Sequence, residues 1–138
     1  MKHKQIKITA FIITAVLCAC FLAACVPSDA DKGRDKLKTD GYTAVTVVGE
    51  AIKEQMQIAG FKSFTGFDKI ENSVVAYKKF EDGFSEILIV LYFKTAKAAR
   101  SAKKEIDKDL DGQPLLEGGR SGKIVYVGTP SAVKAFTD

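Results

Sequence analysis

The side chains best suited to chemistry are scarce in this chain and poorly placed for it. Its one histidine is His3 and its three cysteines are Cys18, Cys20 and Cys25, so nothing after residue 25 offers an imidazole or a thiol. The commonest general base, the commonest activated nucleophile and the nitrogen and sulfur ligands of zinc sites are thereby missing from most of the chain. Asp107, Asp109 and Asp111 alternate as calcium ligands do, but the loop spacing and the bidentate glutamate of such a site do not follow. Ser101 with Lys104, and Ser131 with Lys134, set a serine one helical turn from a lysine that could activate it. Seven serines and fifteen lysines after residue 24 make such a pair unremarkable, and no partner motif accompanies either one. Gly118-Gly119-Arg120-Ser121-Gly122-Lys123 looks superficially like a phosphate-cradling loop. It has Glu117 where the first glycine is needed, Ile124 in place of Ser or Thr, and a strand pattern where a helix should begin. The expectation is a non-enzymatic domain with no metal and no cofactor.

The cysteines point to a different chemistry. Lys2, Lys4 and Lys7 form a basic head, and Ile8 to Ala24 runs without a charge. Leu22-Ala23-Ala24-Cys25 closes that run with an aliphatic residue, two small residues and a cysteine. A basic head, an apolar body and a small-residue end make up an export signal. Joined to the terminal cysteine, these parts resemble a bacterial lipoprotein precursor. The resemblance implies cleavage between Ala24 and Cys25, lipid attachment at Cys25, and placement at the cell membrane on its extracytoplasmic face. Two rivals remain open. Leu17-Cys18-Ala19-Cys20 is a poorer version of the same signal, with cysteine in its middle and a shorter apolar body before it. Ile8–Val26 also approaches the roughly 20 apolar residues of an uncleaved membrane span. Either rival leaves the rest of the chain outside the cytoplasm, because the lysines stay within.

Charge agrees with a surface exposed to water and salt. The formal charge of the 138 residues is +4, but the three lysines of the head are unopposed, leaving 18 basic and 17 acidic side chains after residue 24. That balance does not suggest a nucleic-acid partner. No disulfide can form after Cys25, so the domain has to be stable through packing alone. Three segments follow: 1–24 as signal peptide, 25–40 as the lipidated cysteine and a polar tether whose residues 29–39 read equally as a helix or as flexible coil, and 41–138 as one small domain.

The elements that would position any site read as follows. Ser28 or Asp29 can cap a short helix that Gly41 would end, with Tyr42 packing back and Leu37 as its docking side chain. Tyr42–Val48 is a strand, with Val45 and Val47 on one face. Glu50–Ala59 is a helix burying Ile52 and Met56, with Gly60 after its end. Phe61–Lys69 is a turn-rich connection whose Phe61, Phe64 and Phe67 either cover the end of the core or line an apolar ligand groove. Asn72–Phe80 and Ser85–Phe93 are strands joined through Glu81-Asp82-Gly83. The second, apolar on both faces, belongs mid-sheet. Thr95 caps a helix through Leu110, whose Lys97, Arg100, Lys103, Lys104 and Lys108 form either a solvated face or one that meets anionic lipid headgroups. A glycine-rich loop over 111–122, a strand from Lys123 to Val127 and a short helix capped by Thr129 complete the chain.

Strand, helix, strand, strand, helix, strand is the split βαβ order of an α+β, ferredoxin-like antiparallel sheet with a C-terminal helix added. Its first and third strands would be central. The functional expectation is a lipid-anchored domain that binds an envelope protein or a small apolar ligand. The alternatives are a hydrolase or enzyme accessory subunit with an unidentified serine or carboxylate, and a purely structural envelope protein.

Overall fold

A computed structural model describes residues 26–83 and 85–138. It contains helices α1 (Ala30–Thr39), α2 (Glu50–Ile58), α3 (Ala96–Leu110) and α4 (Pro130–Thr137), and strands β1 (Thr43–Val47), β2 (Ile70–Lys79), β3 (Ser85–Phe93), β4 (Glu117–Ser121) and β5 (Ile124–Gly128). The fold is α+β with an open, wholly antiparallel sheet in the order β1-β2-β3-β5-β4.

β3 is central, as its sequence demands. Leu88, Val90 and Tyr92 belong to one core, with α1 and α4; Ile89, Leu91 and Phe93 belong to another, with α2 and α3. An antiparallel sheet commonly leaves one face to water. Here helices cover both faces, because the alternation of β3 and β5 is apolar on both sides.

β1 departs from the ferredoxin-like expectation. It lies at an edge, paired antiparallel with β2 through Thr43↔Tyr77 and Val47↔Ser73. The cause is the connection over residues 61–69. In a split βαβ unit the helix returns the chain to the strand's starting end, so the next strand runs parallel. In this chain α2 makes that return, and residues 61–69 then run the full length of the domain a second time. Ser63 donates through N and Oγ to Asp109, and Thr65 through N and Oγ1 to Glu105, which pins this strap along α3. β2 therefore begins where β1 ended, and the pair is antiparallel.

Two further differences concern residues 111–122 and Thr129. The segment read as a loop contains β4, paired with β5 from Glu117↔Gly128 to Ser121↔Ile124. Its glycines serve close approach: a Cβ on Gly119 would overlap the Tyr126 ring. Thr129 holds the N-cap position of α4, yet its side chain makes no capping bond and instead meets the backbone of Ile87.

The presumed tether is core. Asp29 accepts from the Lys32 amide to start α1, and Ala30, Gly33 and Leu37 are buried on it. α1 and α2 end in the same way. Gly41 (φ 89°) and Gly60 (φ 93°) take the left-handed turn, and the next residues, Tyr42 and Phe61, donate their amides back to Leu37 and Met56. This is the Schellman arrangement, with its apolar contact between the residue after glycine and the last turn. All four of these side chains are buried.

Leu37→Ala should lower the unfolding free energy by about 2–5 kcal/mol, whereas Val48→Ala, at a side chain 66% exposed, should stay within about 0.5 kcal/mol. Urea denaturation checks both. A neutral Leu37→Ala would mean that α1 is not part of the cooperative unit.

Candidate functional site

Cys25 and Ala24, on which the lipoprotein resemblance rests, lie outside the described residues, as do Cys18, Cys20 and the rest of 1–24. What is described is where the chain leaves them. Val26 packs partly buried against the core beneath α1 and α4, and Tyr92 Oη donates to Pro27 O at 3.3 Å. Residues 26–29 are thus held at one end of the sheet, where β3 finishes and β2 and β5 begin. We call this the Val26 end; the opposite end carries the β2–β3 hairpin.

The three phenylalanines of the strap do not share an opening. Phe61 is fully buried, as the residue that closes the α2 terminus, and Phe64 is 2% exposed. The Phe64 ring sits edge-on to Phe67 at 4.6 Å and to Phe93 at 6.1 Å, and Phe67 is half-buried against the same core. The dimple that touches Phe64 encloses about 90 Å³, well short of the roughly 300 Å³ of a small-molecule site.

The candidate catalytic residues are dispersed. Ser101 and Lys104 are exposed on α3. Ser131 and Lys134 are exposed on α4, along an open trough of about 640 Å³ whose other walls include Lys36, Thr39, Asp40 and Asp138. Asp107 pairs with Lys103, and Asp109 holds the strap. Asp111 begins the turn after α3. Among the described residues no group of three or more acidic, histidine or cysteine side chains could hold a metal ion. Gly118 to Ser121 lie in β4, and Gly122 makes the turn to β5.

Sequence reasoning missed an apolar corner at the hairpin end of β1 and β2. Val45 is 49% and Tyr77 50% exposed, on the face that α2 and α3 cover elsewhere. Register places Tyr77 opposite Thr43 on one side and opposite half-buried Ile87 on the other, with Val45 on the neighbouring diagonal. Beside this corner runs the free edge of β1, Thr-Ala-Val-Thr-Val, which has none of the lysines, prolines or bulges that guard strand edges. The alternation of Val45 and Tyr77 was legible in the sequence; the helix that fails to reach them was not.

Three tyrosines carry the electrostatic signature of the interior. Burial pushes the Tyr42 phenol up, aided by its 2.6 Å hydrogen bond to Glu86 Oε2 and by the charges of Glu86 and Asp40. Burial and the Asp29 charge do the same to Tyr92, and burial with Glu117 to Tyr126. None of these groups has the depressed value that would suit a nucleophile at neutral pH. Among the described residues no helix is long and apolar enough to cross a membrane.

An unfolded tyrosine titrates near pH 10. Because the folded phenols hold their protons more tightly, the stability they contribute is intact below that pH and falls as pH rises through the folded values. Thermal unfolding between pH 8 and 11.5 should show this loss, and Tyr42→Phe with Tyr92→Phe should flatten it. No known protein family, curated protein or solved structure matches this chain.

Proposed function

We propose that this protein is a lipoprotein of the cell envelope, acylated at Cys25 after residues 1–24 are removed. Its domain is held at the extracytoplasmic face of the membrane, where it binds a protein partner without catalysing a reaction. The observation that carries this reading is Leu22-Ala23-Ala24-Cys25 at the end of an uncharged run that follows a lysine head. Burying acyl chain contributes about 0.8 kcal/mol per methylene, so two chains hold where one does not. Such an anchor lets a domain with a near-neutral, mixed-charge surface remain at a bilayer without an apolar span of its own.

The binding half of the reading is supported by the corner of Val45, Tyr77 and Ile87 beside the free edge of β1. A flat apolar patch next to an open edge suits an extended segment that adds as a sixth strand, with main-chain bonds supplying affinity and the side chains selecting. A small apolar ligand fits less well, since the hollow at the phenylalanines is too small and the larger trough is wide open, with the charged Lys36, Asp40, Lys134 and Asp138 along it.

Cys25→Ser should accumulate as full-length precursor with no acyl label in cells fed a labelled fatty acid. A variant still cut and still labelled overturns Cys25 as the anchor. Photo-crosslinking from Tyr77 in intact cells should yield one discrete adduct that Val45→Arg abolishes. An adduct pattern unchanged by Val45→Arg removes the corner from the binding site.

A further inference from the structure

The proposed anchor at Cys25 is one residue before the chain packs against the core. Consecutive Cα atoms are about 3.8 Å apart, and Val26 is already packed against the core, with Pro27 hydrogen-bonded to Tyr92 and Asp29 capping α1. A domain on a long coil would tumble freely above the bilayer. On the proposed anchor, this one is held with its Val26 end nearest the bilayer.

What that end presents is a row of lysines. Lys69 precedes β2, Lys94 follows β3 and Lys123 precedes β5, on three adjacent strands. Two backbone bonds tie the row together: the Phe93 amide donates to Lys123 O at 2.9 Å and the Lys94 amide to Lys69 O at 3.1 Å. Strands lie about 4.8 Å apart, so three exposed ammonium groups spring from a band roughly 10 Å wide. Lys97, in the first turn of α3, is exposed at the same end. The acidic groups there are Asp68, Glu71 and, in the first turn of α2, Glu50, while in α1 Asp29 is paired with Lys32 and Asp31 with Arg34. The hairpin end has the opposite balance, with Lys38, Lys78 and Lys79 outnumbered by Asp40, Glu81, Asp82, Glu86 and Glu117. The lysines of the Val26 end are therefore concentrated on three adjacent strand ends, whereas carboxylates predominate at the hairpin end.

Resting on the lipid-anchor reading above, we infer that the Val26 end is a membrane-docking surface. Lys69, Lys94, Lys97 and Lys123 contact anionic phospholipid headgroups of the bilayer that holds the acyl chains. Each such contact is weak alone, but the anchor keeps the row at the surface permanently, so the contacts act on orientation more than on affinity. The strands then stand away from the bilayer, and Tyr77, seven residues along β2 from Ile70, is carried roughly 23 Å outward.

The test uses the mature acylated protein in vesicles of zwitterionic lipid with about a third anionic phosphatidylglycerol. Nitroxide labels are introduced singly at Asp68→Cys, at the Val26 end, and at Glu81→Cys, at the hairpin end, and read by electron spin resonance with a water-soluble nickel relaxant. The label at 68 should be several-fold less accessible than the label at 81. Combining Asp68→Cys with Lys69→Glu, Lys94→Glu and Lys123→Glu should restore its accessibility while the protein still pellets with the vesicles. Equal accessibility of the two labels on an acylated, vesicle-bound protein overturns the orientation and leaves the anchor standing. Protection unchanged by the charge reversals overturns the headgroup contacts. Wild-type protein that carries no acyl group and stays in the supernatant overturns the anchor, and the docking surface with it.

Discussion

The constraint on which the structure depends is that β3 has no polar face. Leu88, Val90 and Tyr92 point one way and Ile89, Leu91 and Phe93 the other, and all six are buried. Each buried aliphatic or aromatic side chain is worth about 1.5–3 kcal/mol when removed from water, so a sheet with such a strand at its centre needs cover on both sides. A chain of this size has to find that cover locally. Among the described residues it uses the first and last helices for one face and the two between them for the other. Five strands in the middle leave the outermost, β1 and β4, less well covered, and the incomplete cover over β1 is what exposes Val45 and Tyr77.

This division explains which parts of the fold were legible in the sequence. Elements with strong internal patterns were: the doubly apolar Ser85–Phe93, the Thr95 cap of α3, whose Ala98, Ala99, Ala102 and Ile106 are buried, and the Glu81-Asp82-Gly83 turn. Sheet order was not, because it hangs on how far residues 61–69 travel. A segment holding three phenylalanines and two glycyl or seryl turn signals reads equally as a compact loop or as an extended strap. The arbiter is the pairing of Ser63 and Thr65 with Asp109 and Glu105, some forty residues away. β4 was hidden for a related reason. Glycine weakens a strand by entropy, so Glu117–Ser121 carries almost no strand propensity, and the Tyr126 ring that needs the space at Gly119 is visible only once β5 lies beside it.

The candidate site was legible in the same uneven way. Leu37, Gly41 and Tyr42 announce a helix end that packs back on itself; Met56, Gly60 and Phe61 repeat the pattern with the same spacing. Recognised at both places, it assigns Phe61 to the core and leaves no basis for a groove at that residue. The lysine row offers a harder case. Lys69, Lys94 and Lys123 each sit just outside an apolar strand, an ordinary position for a lysine, and nothing local makes them neighbours. The order β2-β3-β5 does.

Rigidity at the N-terminal junction links these observations. A lipid anchor fixes a protein's distance from the bilayer but not its attitude, which a flexible linker would leave random. Here Val26 is embedded, Gly33 admits the Tyr92 hydroxyl and the Phe136 ring against α1, and Tyr92 reaches back to Pro27. The same residues that complete the core beneath α1 therefore also hold Val26 and Pro27 at one end of the sheet. With the Val26 end toward the bilayer, as proposed, the charge difference between the two ends lies along the membrane normal, where it bears directly on orientation. In the proposed orientation the free edge of β1 runs from the headgroups outward. A partner segment adding to it would be met first at Tyr77 and Val45, farthest from the lipid and least hindered by it.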